Sequence, residues 1–246
     1  WKAGGSASAN SDGSTASSVS VNTTAGVSIV GYTGAGATTY GHGLGATPNV
    51  IIIKKRTSDS GNNNWFVYHD KVITAGGSNK SFLTLNETGA TTANGSATTF
   101  TSVSSTTFGV GTDPIISESS HEFISYCFAE KKGYSKIGSW VGNGNADGTF
   151  IYTGFRPAYL IYKNTDTADN WFVHDNKRQG YNNQNELMFM DITQAESTVD
   201  RIDFHANGFK TTDSDKGVNK SGDVYVYYAV AEQPLVNSNG VPGNAR

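Results

Sequence analysis

The 246-residue chain has one cysteine, Cys127, five prolines and two methionines. A single thiol excludes an intrachain disulfide, so packing and assembly must supply the stability that cross-links give many extracellular domains. Cys127 lies inside an apolar strand pattern and reads as a buried, inert thiol of the structural core. Charge is also scarce: Asp, Glu, Lys and Arg make up 16% of the residues and leave a formal net charge of −3. No basic face gathers phosphates, which argues against nucleic acid as a partner. No apolar run approaches the roughly 18 residues of a membrane-crossing helix, and no membrane insertion is expected. Motifs of catalysis are missing as well. There is no Gly-x-Ser-x-Gly elbow and no phosphate loop ending in Gly-Lys-Ser or Gly-Lys-Thr, and Gly41-His42-Gly43-Leu44-Gly45 has the wrong spacing for a dinucleotide fingerprint. The five histidines fall in no zinc-type spacing, so neither a metal nor any other cofactor is expected.

What is abundant is glycine (29), tyrosine (12) and phenylalanine (12), set among many Ser, Thr and Asn. That is the composition of an all-β chain with many turns. The order of its phrases repeats. Pro48-Asn49-Val50-Ile51-Ile52-Ile53-Lys54 returns as Pro157-Ala158-Tyr159-Leu160-Ile161-Tyr162-Lys163, and Asn64-Trp65-Phe66-Val67 as Asn170-Trp171-Phe172-Val173. The strand pattern Phe123 to Glu130 returns as Tyr225 to Glu232, and Gly31 to Gly36 answers to Gly138 to Gly144 with a shorter loop in the first copy. A period of about a hundred residues is too long for a solenoid and suits a small complete domain. The reading is all-β: two tandem β-sandwich, jelly-roll-like modules with essentially no helix. Residues 1–27 read as the end of a preceding domain plus a Ser/Gly/Ala-rich linker arm, 28–132 as the first module, 133–233 as the second, and 234–246 as a C-terminal tail. Val50 to Ile53 and Val224 to Ala231 are unbroken apolar runs, as central strands are. Asn94-Gly95 and Asn207-Gly208 mark tight hairpins with positive backbone dihedrals.

The aromatic residues offer the best binding signal. Trp65 and Trp171 recur at one strand position, each sharing a face with a valine, and are assigned to the structural core with Cys127. Tyr32 and Trp140 are flanked by glycines at a strand end, where an exposed ring could stack on a sugar. Tyr152 and Arg156 could add contacts beside them. Packing against a neighbouring module explains the same rings equally well. The adjacent pairs His69-Asp70 and His174-Asp175 suggest half of a hydrolytic triad, but neighbours on a strand point to opposite faces and no nucleophile is marked. Asp59, Asp147, Asp166 and Asp169 are loop carboxylates whose ordinary role is solvation, although paired carboxylates would suit a glycan hydrolase.

Gly-His-Gly-Leu-Gly before an Ile-rich strand (His42 to Pro48), Asn-Trp-x-Val-Tyr-His (Asn64 to His69), Gly-Tyr-Ser-Lys-x-Gly-Ser (from Gly133) and Phe-x-Tyr-Thr-Gly-Phe-Arg-Pro (Phe150 to Pro157) together resemble a repeated domain of unknown function found in tail-fibre-like virion proteins of mostly marine tailed bacteriophages. The resemblance covers nearly the whole chain. It implies a virion or extracellular location, a non-enzymatic role, a homo-oligomer, commonly a trimer, among other virion proteins, and contact with a host-surface glycan or receptor. It carries no catalytic residues onto these positions, and it makes Trp1 the stump of an upstream domain. Two alternatives stand beside it: a self-assembling module of an extracellular fibre, and a carbohydrate-binding or glycan-depolymerising tail-spike-like protein.

Overall fold

The computed structural model describes residues 4–57, 61, 63–72, 81–92, 99–178, 182 and 184–234. It divides into two compact units, one of Trp1–Leu85 with Thr91–Glu130 and one of Asn86–Ala90 with Lys131–Arg246. The expectations for Trp1, Asp59, Asn94-Gly95 and the tail beyond Pro234 concern residues outside the described ones.

The first unit contains β1 (Ser8–Asn10), β2 (Ser17–Asn22), β3 (Val27–Thr33), β4 (Thr38–Gly41), β5 (Val50–Lys55), β6 (Trp65–His69), β7 (Leu83–Thr84), β8 (Phe100–Val103), β9 (Thr107–Val110), the short helix α1 (Pro114–Ser117) and β10 (Glu122–Phe128). One sheet runs β1-β2-β3-β10-β5-β6-β7 and a second β4-β9-β8. Here the linker expectation fails. Residues 8–10 and 17–22 are strands, and Ser18, Val19 and Ser20 stand opposite Gly31, Val30 and Ile29 of β3. The edge of β3 gives this polar segment main-chain partners, and the alternating Val19 and Val21 reach the core, so two apolar residues suffice to place it.

The second unit contains β11 (Ser135–Val141), β12 (Phe150–Tyr152), β13 (Pro157–Asn164), β14 (Trp171–Asp175), β15 (Gln184–Phe189), β16 (Ser197–His205), β17 (Gly208–Thr211) and β18 (Val224–Ala231), in the order β11-β18-β13-β14-β15-β16-β17-β12. The run β3-β10-β5-β6 therefore corresponds to β11-β18-β13-β14, and β4-β9-β8 to β12-β17-β16. All pairings between named strands are antiparallel, and the two unbroken apolar runs are interior strands. The hairpin between β16 and β17 turns on Ala206 and Asn207, and neither Asn207 nor Gly208 has a positive φ.

Each unit encloses its own core, drawn in the first from both sheets and in the second from both ends of the one eight-stranded sheet. Val30, Tyr40, Ile51, Phe66, Phe108 and Phe123 lie in the first, and Trp140, Leu160, Phe172, Phe204, Phe209 and Tyr225 in the second. Cys127 is fully buried in the first, and burial pushes its thiol up to about 12. Trp171 is buried, at 5% exposure, as expected of a core residue, whereas Trp65 is a correction. Strand alternation gives the inner face to Phe66, Tyr68 and Phe172 and puts both tryptophans on the opposite face of their sheets, where Trp65 is only half-buried.

That opposite face explains two recurring letters. Lys54 Nζ donates to the carbonyl of Asn63 and sits 5.9 Å from the Trp65 ring centre. Lys163 Nζ donates to the carbonyl of Asp169, 2.7 Å away, and to that of Thr88, 3.1 Å away, on the strand position opposite Trp171. In both units the lysine secures the backbone two residues before the tryptophan. Burial pushes Lys163 down to about 8, against the pull of the Asp191 and Asp169 charges.

Candidate functional site

Tyr32 and Trp140 do not form an exposed aromatic site. Each is 5% exposed, Tyr32 stacked on Tyr40 and Phe123 with ring centres 4.1 and 5.3 Å apart, and Trp140 stacked on Tyr225 at 4.9 Å. The polar end of each ring donates to a main-chain carbonyl, the Tyr32 hydroxyl to Ile116 at 2.8 Å and Trp140 Nε1 to Val218 at 3.2 Å. The glycines after each ring lock the same loop. Gly34 N donates to His121 O and Gly142 N to Asp223 O, while Gly36 N donates to Ser117 O and Gly144 N to Asn219 O. These bonds align the two loops residue for residue, so the first copy is not shorter here, and Tyr32 matches Trp140. A second turn in this latch has Ser120 at φ 66° in one unit and Gly222 at φ 85° in the other, each N–H donating to the carbonyl of Gly34 or Gly142.

The remaining chemistry-bearing residues are also committed to the fold. His69 and Asp70 do approach, to 3.5 Å, because Asp70 begins the turn, but His69 Nδ1 accepts from Lys71 N. His174 is not its counterpart: it lies one residue out of frame, faces the core and stacks on Tyr162. Asp166 accepts from Val224 N at 2.6 Å, and Asp169 accepts from Asn170 N and pairs with Lys216. Arg156 is mostly buried and pairs with Glu232 at 3.4 Å, which closes the end of β18. Among the described residues, no group of three or more His, Cys, Asp or Glu could hold a metal ion.

His42, in the glycine-rich phrase, is a buried strut. Its Nδ1 accepts from Leu44 N, which leaves Nε2 to donate to Ser104 O at 3.2 Å, and Ser28 Oγ donates to its carbonyl. Burial holds the imidazole below its usual range, although the Ser104 carbonyl and the Asp12 charge pull the other way. Because the folded value is the lower one, the unfolded chain binds the extra proton. Stability should therefore hold above about pH 6.5 and fall as the pH drops from there toward the folded value. Urea denaturation between pH 7.5 and 5 measures this, and His42→Gln should give a less stable protein with a flatter acid limb.

Of the four candidate ligand residues, Tyr152 alone is open, at 65% exposure. Beside it on the same face of β12 stands Phe150, at 45%, which the alternation of a three-residue strand made legible and which the sequence reading passed over. The register with β17 and β16 adds neighbours. Phe150 lies opposite Lys210 and Tyr152 opposite Gly208, and these in turn face Asp203 and His205. The Phe150 and His205 rings meet edge to face at 5.7 Å, and Lys210 pairs with the exposed Asp147, whose carboxyl that lysine holds below the usual range. In the first unit, a hollow of about 340 Å³ is lined by Ser17, Ser18, Gly31, Thr33, Arg56 and Glu122, with Arg56 and Glu122 paired at 3.5 Å.

The arrangement at β12 offers surface contact. No curated protein and no solved structure matches the chain. A family model described as Domain of unknown function (DUF7483) matches residues 1–234 and so spans both units. The chain therefore belongs to the DUF7483 domain family.

Proposed function

We propose that this chain is a non-enzymatic structural and adhesion module of a tailed-bacteriophage fibre or related virion appendage, acting outside the cell as a homo-oligomer and touching host-surface glycan. The observation that supports this reading most is a division of labour. The buried polar and aromatic residues hold two separate cores, whereas Phe150 and Tyr152 face solvent on the edge strand β12. Exposed aromatics on a rigid sheet fit recognition better than catalysis, and repetition in an oligomer would strengthen weak single contacts. The resemblance of its motifs to phage fibre proteins supplies the setting. Labelled protein should adsorb to some members of a panel of marine bacterial isolates and compete with infection by a phage of that host. Absence of adsorption across a panel that such phages infect would defeat the adhesive half of the reading.

A second reading, self-assembly into a fibre, is favoured by β11, an edge strand of its sheet ending at Val141, which is 56% exposed. Light scattering that finds only monomer over a wide concentration range would count against it.

A further inference from the structure

The two units differ at one place in a way that the repeat makes measurable. Phe108 of β9 packs edge-on against Tyr32 at 5.9 Å, as Phe209 of β17 packs against Trp140 at 5.6 Å, so these two phenylalanines correspond. Tyr40 stands opposite Phe108 and Ile151 opposite Phe209. It follows that Thr39 corresponds to Phe150, and Gly41 to Tyr152.

In the first unit this surface is closed. Thr15 bridges Tyr40 in parallel, Thr15 N donates to Thr39 O at 3.1 Å, and Ser14 N donates to the Thr39 hydroxyl. Asn10 lies so close over Gly41 that a Cβ there would stand 1.6 Å from Asn10 Oδ1. The segment 10–17 thus covers β4. In the second unit, two aromatic rings stand at the equivalent positions and both are open.

We infer that the face of β12 carrying Phe150 and Tyr152 is a stacking site for the uncharged pyranose rings of a glycan, one site per chain and confined to the second unit. This rests on the adhesion reading and names its ligand and its residues. Three observations select the ligand. First, alternate side chains of a strand lie about 7 Å apart, so the two rings form a continuous apolar strip whose electron-rich faces attract the polarised C–H bonds of a sugar ring. Second, the flanking cation Lys210 is already neutralised by Asp147, which disfavours a phosphate or sulfate ligand but leaves donors and acceptors for hydroxyl groups. Third, an extended peptide laid as segment 10–17 is laid on β4 is blocked, because Tyr152 occupies the place where Asn10 needs a glycine.

The main chain adds directionality. Thr211 N donates to Thr149 O and Thr153 N to Asn207 O, so the alternation of an antiparallel ladder turns the N–H and C=O groups of Phe150 and Tyr152 away from β17, toward the open edge. A sugar seated on the rings has these groups within its reach.

Saturation-transfer NMR on the full chain with methyl β-galactopyranoside, methyl β-glucopyranoside and methyl α-mannopyranoside tests the inference. At least one glycoside should receive saturation, strongest on the ring protons of one face, and Phe150→Ala/Tyr152→Ala should reduce its affinity at least tenfold with the circular dichroism spectrum unchanged. Arg56→Ala, at the hollow of the first unit, should leave binding intact. No transfer to any of the three, transfer that survives the double variant, or loss in Arg56→Ala instead would overturn the proposal. So would chemical-shift changes at β12 on adding a synthetic peptide of residues 8–17, since that result assigns the face to a strand. Failure here with adsorption to cells intact moves the contact elsewhere and spares the adhesion reading; glycoside binding without adsorption does the reverse.

Discussion

Trp140→Ala is expected to destabilise the second unit by about 3–5 kcal/mol, the usual cost of emptying a large aromatic site in a core. The ring packs against Tyr162, Phe209, Tyr225 and Tyr227, so its removal takes one contact from each of four aromatic neighbours and the donor from the Val218 carbonyl. Tyr32→Ala should impose a comparable loss on the first unit, where Tyr40, Phe108 and Phe123 surround the ring. Because the two cores contain no residue in common, the variants should lower different transitions in a calorimetric scan. A single transition shifted equally by both would refute the division into two cores.

The second large effect concerns the latch glycines. A Cβ on Gly34 would lie 2.0 Å from the carbonyl oxygen of Glu118, and one on Gly142 would lie 2.2 Å from that of Lys220. Both obstacles are backbone, which cannot swing aside as a side chain can. Gly34→Ala and Gly142→Ala should therefore each cost about 1–3 kcal/mol or more. Gly89→Ala, where the added Cβ meets nothing within 4 Å, should stay within about 0.5 kcal/mol of the parent in the same urea titration. Equal behaviour of all three would remove the steric account of the motif.

The fold class was legible because the strand signals were redundant: unbroken apolar runs marked interior strands, and the order of repeated phrases matched the order of the sheets. The roles of single residues were less so. Period two correctly paired Trp65 with Val67, but nothing in that spacing says which face of the sheet turns inward, and the neighbouring Phe66 and Tyr68 won the core. Glycines beside Tyr32 and Trp140 looked like openings for a ligand, whereas they admit a carbonyl belonging to the next loop, a long-range partner that local sequence does not announce. The N-terminal segment was misread for the same reason, since its order comes from the edge it lies on. Tyr152 was named only for contacts beside Tyr32 and Trp140, and Phe150 was missed although strand alternation alone would have joined it to Tyr152.

The turn at Ser120 and Gly222 takes the same left-handed conformation at unequal cost. A residue with a side chain in the left-handed region carries a penalty of roughly 1–2 kcal/mol that glycine avoids, so the first half bears a conformational burden from which its twin is exempt. Ser120→Gly should therefore release that penalty and stabilise the first half in a urea titration, whereas Gly222→Ser should cost the second half a similar amount.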